Sequence, residues 1–359
     1  MAPAVGPGRA VDALVARCHA GLDAATLQRE VVQRLGRLLS ADAVFCASVD
    51  PATLLFTGAL SHEIPADATP RFLANEFFED DVNKFRALAE RRVPVDWLDH
   101  ATGSRRAAST RYREIMAPLG LGDELRSLFR SGGECWGVVC LHREDAPSGF
   151  SEADARVLAR VSAHVGEGLR RSLLLEAAEA ALEAPDAPDT PGVLLLDDAH
   201  ALVATTAAGD RWLWELTHPD DPGPLPLAIE AVLVSLRALR AGRSDGVPQV
   251  RVRTRSGTWA VVHASAMEGL GTAAQVAVVV ERAKRSELAP LILLAYGLTP
   301  REAEVAQLAL QGKANKAVAR ELRISEHTVE DHLKSIFAKV GVGSRGELTA
   351  RIFTEHYLP

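Results

Sequence analysis

The residues whose types and spacing best suit chemistry lie near the C-terminus. A predicted helix that begins after Ser325 places polar side chains on one side. These are His327, Thr328, Glu330, Asp331, Lys334, Ser335 and Lys339. Asn315 and Lys316 lie at the start of the preceding helix, where peptide N–H groups and a lysine can bind a phosphate. This combination of groups is typical of surfaces that contact phosphates and base edges.

Cysteine and histidine form weaker patterns. Cys18, Cys46, Cys135 and Cys140 have no metal-ligand spacing, and we expect them to be buried. Cys135 and Cys140 are five residues apart on a predicted strand, which predicts opposite faces. Cys140 and His142 share one face, so a catalytic dyad or a redox-sensing thiol stays an alternative. We predict no catalytic residue, no metal and no cofactor.

An acidic pair, Asp197-Asp198, follows a short apolar run. Such a pair could belong to a phosphorelay receiver, in which acidic residues bind Mg²⁺. That fold requires a second aspartate at a strand end, but Asp245 lies in a Gly- and Pro-rich turn. We therefore predict that Asp197 and Asp198 are solvated turn residues.

Four short helices are predicted around the C-terminal polar residues. Thr299 and Glu302 form a capping box around Pro300, and Gly312 suits the end of that helix. Asn315 is predicted to cap the second helix, and Ser325 the third. The third helix, about 326–340, carries one apolar stripe. Its members are Val329, Leu333, Ile336, Phe337 and Val340.

The fourth helix begins at a second capping box, formed by Ser344 and Glu347. A tight turn joins the second and third helices. A helix that buries one stripe and exposes the other fits the major groove, which is about 12 Å wide.

The segments LTPREAEV and QGKANKAVARELRISEHTVEDHLKSIFAKVGVGSRGEL resemble the LuxR-type helix-turn-helix family. The resemblance implies a DNA-binding domain of a transcriptional regulator, usually dimeric on DNA. It implies a backbone contact for Lys316 and a flanking phosphate contact for Lys339. It places Thr328, Glu330, Asp331 and Lys334 toward the groove. We also count Asn315, Ser325 and His327 among the predicted DNA-binding residues. One departure is acidic: Glu330 and Asp331 follow Thr-Val, where the family often has lysine.

The N-terminal segment, about 10–182, mixes helices and strands. We predict a helix over 26–40, strands over 44–49, 54–60 and 135–143, a helix over 72–90, and a long helix from Ser151 to about Leu182. This order resembles a GAF domain over roughly 15–175. The resemblance implies a pocket between sheet and helices.

The Pro-rich stretch 183–192 predicts a linker, and a softer break falls near 287–290. The segment between them, 190–285, resembles a PAS-like domain. Its predicted strands lie within 193–213, 249–265 and 273–282, with a hairpin turn at Ser256-Gly257. Thr206 stands where such domains often carry asparagine.

Composition and charge limit the class of protein. The 359 residues are 47% hydrophobic and 24% charged, as in ordinary globular proteins, with a net charge of −7. Residues 296–359 carry nine basic and eight acidic residues, so the acidity lies upstream. No signal peptide or membrane-spanning run is visible, which predicts a cytoplasmic protein without membrane contact.

We therefore predict a multidomain protein, with an α+β GAF-like sensor (10–182), an α+β PAS-like domain (190–285) and an all-α four-helix LuxR-type HTH domain (290–359). Its predicted partners are double-stranded DNA, a second copy in a homodimer, and an unidentified small-molecule ligand. The long helix 152–182 and the apolar face of 345–357 motivate the homodimer, which predicts half-sites about 10 bp apart. Two alternatives stay open: upstream domains that are ligand-free dimerisation scaffolds, and an HTH that binds protein instead of DNA. An enzyme is not predicted.

Overall fold

The computed structural model describes residues 7–180, 188–217, 225–267 and 275–354. Within these ranges it contains two five-stranded antiparallel sheets and a helical C-terminal domain, so the predicted multidomain fold is confirmed. Residues 183–187, half of the predicted linker 183–192, lie outside the described residues. In the described part of the chain, every helix is too short or too polar to cross a bilayer.

The first domain has a sheet in the order β2-β1-β5-β4-β3. Its strands are β1 (Ala43–Val49), β2 (Phe56–His62), β3 (Val95–Trp97), β4 (Leu121–Ser131) and β5 (Glu134–Glu144). Its helices are α1 (Pro7–Cys18), α2 (Ala24–Leu38), α3 (Thr69–Phe77), α4 (Phe85–Ala89), α5 (Leu98–Thr102) and α6 (Glu152–Ala180). Short 3₁₀ or π-helical turns occur at Ala66–Ala68, Arg106–Ala108, Tyr112–Met116 and Ala117–Leu119.

Both faces of this sheet are covered by helices. The buried side chains of Leu14, Leu35 and Val161 bring α1, α2 and α6 onto one face. Leu73 of α3 and Leu88 of α4 are buried in the core on the other face. A sheet covered on both sides has a dry interior on each face, and polar groups placed there need partners.

The single helix predicted over 72–90 is wrong, because the structure contains two helices there. Between α3 and α4, Asp81 accepts hydrogen bonds from the side chain of Asn75 (2.9 Å) and from the backbone N–H of Arg111 (2.7 Å). These bonds hold the intervening turn against a segment thirty residues away. The predicted capping box at the start of α6 is confirmed, since Ser151 and Asp154 exchange hydrogen bonds.

The predicted separation of Cys135 and Cys140 is wrong as well. A bulge at Trp136 shifts the register of β5, so that Phe129 pairs with Gly137 while Arg130 pairs with Cys135. Both cysteines consequently lie in the same core. All four cysteines are buried, as the sequence predicted.

The central domain repeats the strand order of the first, as β7-β6-β10-β9-β8. Its strands are β6 (Gly192–Leu196), β7 (Leu202–Thr205), β8 (Gln249–Arg253), β9 (Trp259–Met267) and β10 (Gln275–Arg282). Its helices are α7 (Ala207–Leu216) and α8 (Leu227–Arg240). Thr206 caps α7 by accepting from the N–H of Gly209 (3.1 Å). The PAS-like assignment stays a prediction.

An antiparallel sheet excludes the receiver alternative, which needs parallel strands. Asp197 instead stabilises the turn after β6, where it accepts from the N–H groups of Ala199 and Ala201, both at 2.9 Å. The hairpin between β8 and β9 turns at Gly257, whose φ of +84° suits glycine.

The two sheet domains share a core. Helix α8 has an unbroken run of buried residues from Leu227 to Leu236, and it packs against α3 and β2 of the first domain. Asp50 at the end of β1 also accepts from Arg251 of β8, at 2.6 and 2.9 Å. The buried pair and the shared apolar core fix the two domains to each other.

The C-terminal domain contains α9 (Arg285–Ala295), α10 (Pro300–Leu310), α11 (Asn315–Leu322), α12 (Glu326–Val340) and α13 (Arg345–Thr354). The predicted break near 287–290 falls inside α9, which packs on this domain. On α13, Leu348 and Ile352 are fully buried in the same core as Leu293 and Val305. The apolar face that motivated a homodimer is therefore used within the chain.

Candidate nucleic-acid interface

Helices α11 and α12 form a compact pair. Val318 and Ala319 of α11 pack in one core with Val329 and Leu333 of α12. Arg323 ends α11 in the left-handed region, with φ of +55°, so the chain reverses within a few residues. Ser325 then caps α12 by accepting from the N–H of Thr328 at 3.0 Å, as predicted. The pair is a rigid support for the outer side of α12.

The outer side of α12 is polar and exposed. His327, Glu330, Asp331 and Lys334 are all exposed there. We call these four residues, together with Lys316 of α11, the polar face. Thr328 is half-buried, and its hydroxyl lies 2.7 Å from that of Ser325. Three of the four residues that the resemblance places toward the groove, Glu330, Asp331 and Lys334, are therefore exposed, while Thr328 interacts with Ser325. Their contact with DNA stays a prediction.

Charges on the polar face partly compensate one another. Lys334 donates to Asp331 at 3.2 Å, and His327 lies 3.5 Å from the other oxygen of Asp331. Both lysine and aspartate stay more than half exposed, so solvent screens this pair. Glu330 forms no ion pair with another described residue. An approaching polyanion would meet Lys334 and an unpaired carboxylate side by side.

The start of α11 is suited to an anion. The predicted cap at Asn315 is wrong: Ala314 is the N-cap, and it has no side chain that can accept a hydrogen bond. The N–H groups of Ala317 and Val318 bond to the carbonyl of Ala314, whereas the N–H groups of Asn315 and Lys316 donate to no described residue and can bind an anion. Lys316 is exposed beside them and forms no ion pair with a described residue.

Asn315 has a different role. Its carbonyl oxygen accepts from Arg345 at 3.0 Å, and Arg345 also donates to the carbonyl of Lys313 at 2.5 Å. These bonds tie the start of α11 to the start of α13. The sequence did not single out Arg345, because only the folded chain brings it to the turn before α11.

Lys339 points back into its own domain. Its amine donates to Glu302 at 2.6 Å, and Ser335 donates to the other oxygen of Glu302 at 2.6 Å. Burial raises the pKa of Glu302, but hydrogen bonds from Lys339, Ser335 and Thr299 outweigh it and lower the pKa to about 2. Glu302 therefore clamps α10 to α12, and Lys339 is partly neutralised within the domain. Sequence reasoning recognised only the capping role of Glu302, which is confirmed.

The first domain holds a second group of charges, which are buried. We call Glu76, Arg111, Glu124 and Arg126 the buried charged cluster. Arg126 bonds to Glu76 at 2.8 Å, and Arg111 lies 2.7 Å from Glu124. Burial raises the pKa of Glu124, yet the two guanidiniums lower it to about 2. The Glu124 carboxylate is therefore ionised and paired.

Cys140 and His142, the alternative catalytic pair, lie beside the buried charged cluster. Burial raises the pKa of the Cys140 thiol and lowers the pKa of His142 to about 4, so neither charged form is favoured near neutral pH. Ligand atoms of Glu124, Cys140 and His142 do lie within 4.8 Å of one another. A cation is disfavoured there, because Arg126 donates to Cys140 and lies 3.6 Å from Glu124. The arrangement favours structure over nucleophilic or metal chemistry.

Comparisons with known proteins agree with the LuxR-type resemblance of the C-terminal segment and with the GAF resemblance of the N-terminal segment. Residues 297–352 match the model described as bacterial regulatory proteins, luxR family, and residues 23–169 match the GAF domain model. The spore germination protein GerE of Bacillus subtilis is 42% identical over 55 residues, which cover 15% of this chain and 74% of that protein. Both predicted resemblances are confirmed.

The chain spans only part of the length of other relatives that it matches. The monoamine regulon transcriptional regulator of Klebsiella aerogenes is 46% identical over 54 residues, or 15% of this chain, and the chain spans 24% of it. Among solved structures, the GAF domain of a phosphoenolpyruvate-protein phosphotransferase from Coxiella burnetii is 14% identical, with a TM-score of 0.36. That match covers 49% of this chain and 99% of the other.

Proposed function

Because the chain belongs to the LuxR family of bacterial regulatory proteins, we propose that it is a transcriptional regulator. Its C-terminal domain binds double-stranded DNA, with α12 in the major groove and the start of α11 against the phosphate backbone. The first domain, which matches the GAF model, senses a small molecule. The central domain joins the sensor to the DNA-binding helices.

One observation carries the proposal: the polar side of α12 is exposed next to an uncapped helix start. Base edges are read by donors and acceptors on a helix, while helix N-termini and lysines hold the backbone. Lys316 and Lys334 are exposed for this role, and Glu330 can accept from the exocyclic amine of cytosine. Asp331 is balanced by Lys334 and His327, which limits its repulsion of phosphates.

Selection from random duplex DNA with the full chain tests this function. We expect one enriched motif. Binding should weaken as the salt concentration rises, because lysines that bind phosphates displace counterions from the DNA. If the chain enriched no sequence and bound no duplex at low salt, the protein-interaction alternative would replace DNA binding. A pull-down with the folded domain would then identify that role directly.

The regulator acts as a homodimer in this proposal, with half-sites about 10 bp apart. The family supports pairing, whereas the apolar face of α13 does not, since it is buried within the chain. Footprinting and light scattering on the DNA complex test the dimer. A single half-site bound by one copy would contradict it.

Two further assignments accompany the regulator. We place it in the bacterial cytoplasm, where the chromosome lies, and assign it no enzymatic activity. The ligand-free scaffold alternative differs in one respect: a scaffold would gain no thermal stability from any metabolite, whereas a sensor gains it from its ligand.

A further inference from the structure

A cavity of about 540 Å³ lies between the two sheet domains. Ligand pockets for small molecules usually enclose about 300–1,000 Å³. Helices α2 and α6 of the first domain form one side, and α7, α8 and the β8–β9 hairpin of the central domain form the other. Leu291 of α9 completes the wall. Three parts of the molecule therefore meet around one space.

The cavity differs from the space inside the first domain. That inner space lies between the sheet and its covering helices, where the GAF resemblance implies a pocket, and Phe45, Phe72 and Arg111 line it. Its volume is about 30 Å³, which is room for about one water molecule. In this structure the interdomain cavity is large enough for a metabolite and the inner one is not.

The walls of the interdomain cavity are mostly apolar. Trp136 and Trp259 contribute two indole rings, and Leu169, Leu173 and Leu216 contribute aliphatic surface. Trp136 already donates its indole N–H to the carbonyl of Ser131, so it offers the cavity an apolar ring. Such walls fit a ligand with an aromatic or aliphatic body.

The acidic residues on the walls are already engaged. Asp23 accepts from the N–H of Thr26 (2.8 Å) as the cap of α2. Asp50 accepts from Arg251, and Glu215 accepts from the backbone N–H of Ser256 (3.0 Å). Because these carboxylates hold the protein together, the cavity has little capacity to bind a cation.

Donors on the walls are less committed. Gln28 is 9% exposed, and no described residue accepts a hydrogen bond from its amide nitrogen. Arg29 and Arg255 are exposed, and they donate to neutral oxygens of Thr26 and Thr217, both at 3.0 Å. Arg255 also lies 4.7 Å from the ring centre of Trp214, and Arg29 interacts electrostatically with Asp23, but neither arginine forms a salt bridge with a described residue. One buried amide and two guanidiniums around an apolar space complement an anionic group.

We propose that the interdomain cavity binds a small organic anion with an aromatic or aliphatic body. This assignment rests on the sensing role proposed above, and it names a site and a ligand class for that role. Leu291 touches the ligand space, while Leu288 and Ile292 on the same helix belong to the C-terminal core. The ligand therefore contacts the helix that leads to the DNA-binding domain.

Fluorescence titration with anilinonaphthalene sulfonate tests the proposal on the full chain without DNA. This probe is an aromatic anion that fluoresces in apolar sites, and Trp136 and Trp259 would transfer energy to it. We expect one saturable site. Ala25→Trp, which fills the cavity from α2, should abolish the signal, while Ala163→Trp on the exposed side of α6 should leave it unchanged.

A separate experiment tests whether the site requires a negative charge on the ligand. Its result does not depend on whether Ala25→Trp folds. Arg29→Gln with Arg255→Gln should weaken the anionic probe about tenfold and the neutral probe N-phenylnaphthylamine less than twofold. Arg171→Gln, an exposed arginine outside the cavity, is the matched control. Binding of the probe without saturation would overturn the assignment, and so would equal probe signals from Ala25→Trp and Ala163→Trp. Equal losses of affinity for the anionic and the neutral probe in the Arg29→Gln, Arg255→Gln variant would overturn it as well. DNA binding retained alongside any of these would show that only the cavity assignment fails.

Discussion

Residues of opposite charge pair in two different environments at the two ends of this chain. In the buried charged cluster, Arg126 and Glu124 are fully buried and paired, and Arg126 lies 3.9 Å from the ring centre of Phe85. On the polar face, Lys334 and Asp331 pair at 3.2 Å in solvent. Buried pairs are hardly screened, and exposed pairs are. We therefore expect the first group to contribute to stability, and we propose that the second exchanges its partners for DNA.

The largest effect expected is on the buried charged cluster. Arg126→Met would leave Glu76 and Glu124 without one of their buried partners, which typically costs about 3–5 kcal/mol. Urea unfolding followed by circular dichroism measures the loss. Arg171→Met is the control, because Arg171 is exposed and pairs with Glu167 in solvent. Equal losses in both variants would contradict the difference between buried and exposed pairs.

The Glu302 clamp is expected to have an intermediate effect. Glu302→Gln removes the charge that Lys339 and Ser335 bind, and we expect a loss of about 2 kcal/mol at pH 7. The folded pKa is lowered, so the charge-dependent stability is full above about pH 4.5 and is lost as pH falls through about 2.

The difference between wild type and Glu302→Gln should accordingly shrink across that pH window. Urea unfolding of both proteins at pH 7, 5, 3 and 2 measures it. A difference that stays constant down to pH 2 would mean that the ionised form of Glu302 is not what stabilises the domain.

A smaller effect is expected from a single lysine of the polar face. Lys316→Ala should weaken DNA binding about fivefold on every sequence and make the salt slope about one unit shallower. Lys313→Ala is the matched control, since its amine is engaged by Glu321 at 2.5 Å. Fluorescence anisotropy at several salt concentrations measures both. An unchanged slope for Lys316→Ala would remove its phosphate contact.

The smallest effect on affinity is expected at Glu330. Glu330→Ala removes a carboxylate that pairs with no described residue from the face of α12, so total affinity should change less than about threefold. The preferred base at one position of the site should change instead. Selection from random DNA with both proteins measures this, and identical motifs would exclude Glu330 as a reader.

The C-terminal domain was the more predictable of these two regions. Local signals such as Thr299-Pro300 and Ser325 mark where α10 and α12 begin, and the structure agrees with them. Asn315 misled the prediction because Ala314 takes the capping position and Asn315 bonds to Arg345, thirty residues away. The exposed polar side of α12 follows from helical period alone.

The buried charged cluster could not be predicted from local pattern. Glu76 and Arg126 are fifty residues apart and meet only when α3 covers the sheet. A bulge at Trp136 reversed the expected orientation of Cys135, and the turn at Asp81 divided an apparently continuous helix. The interdomain cavity needs two folded domains. These features depend on tertiary contacts that periodicity does not encode.

DNA binding by the polar face is the central claim, and anisotropy of the full chain on its selected duplex tests it most directly. For the wild type we predict saturable binding, and a slope of log affinity against log salt of about −2 per protomer from Lys316 and Lys334. The Lys316→Ala, Lys334→Ala double variant should lose most of that slope while its unfolding curve stays unchanged. Binding by the double variant equal to that of the wild type at every salt concentration would contradict the claim.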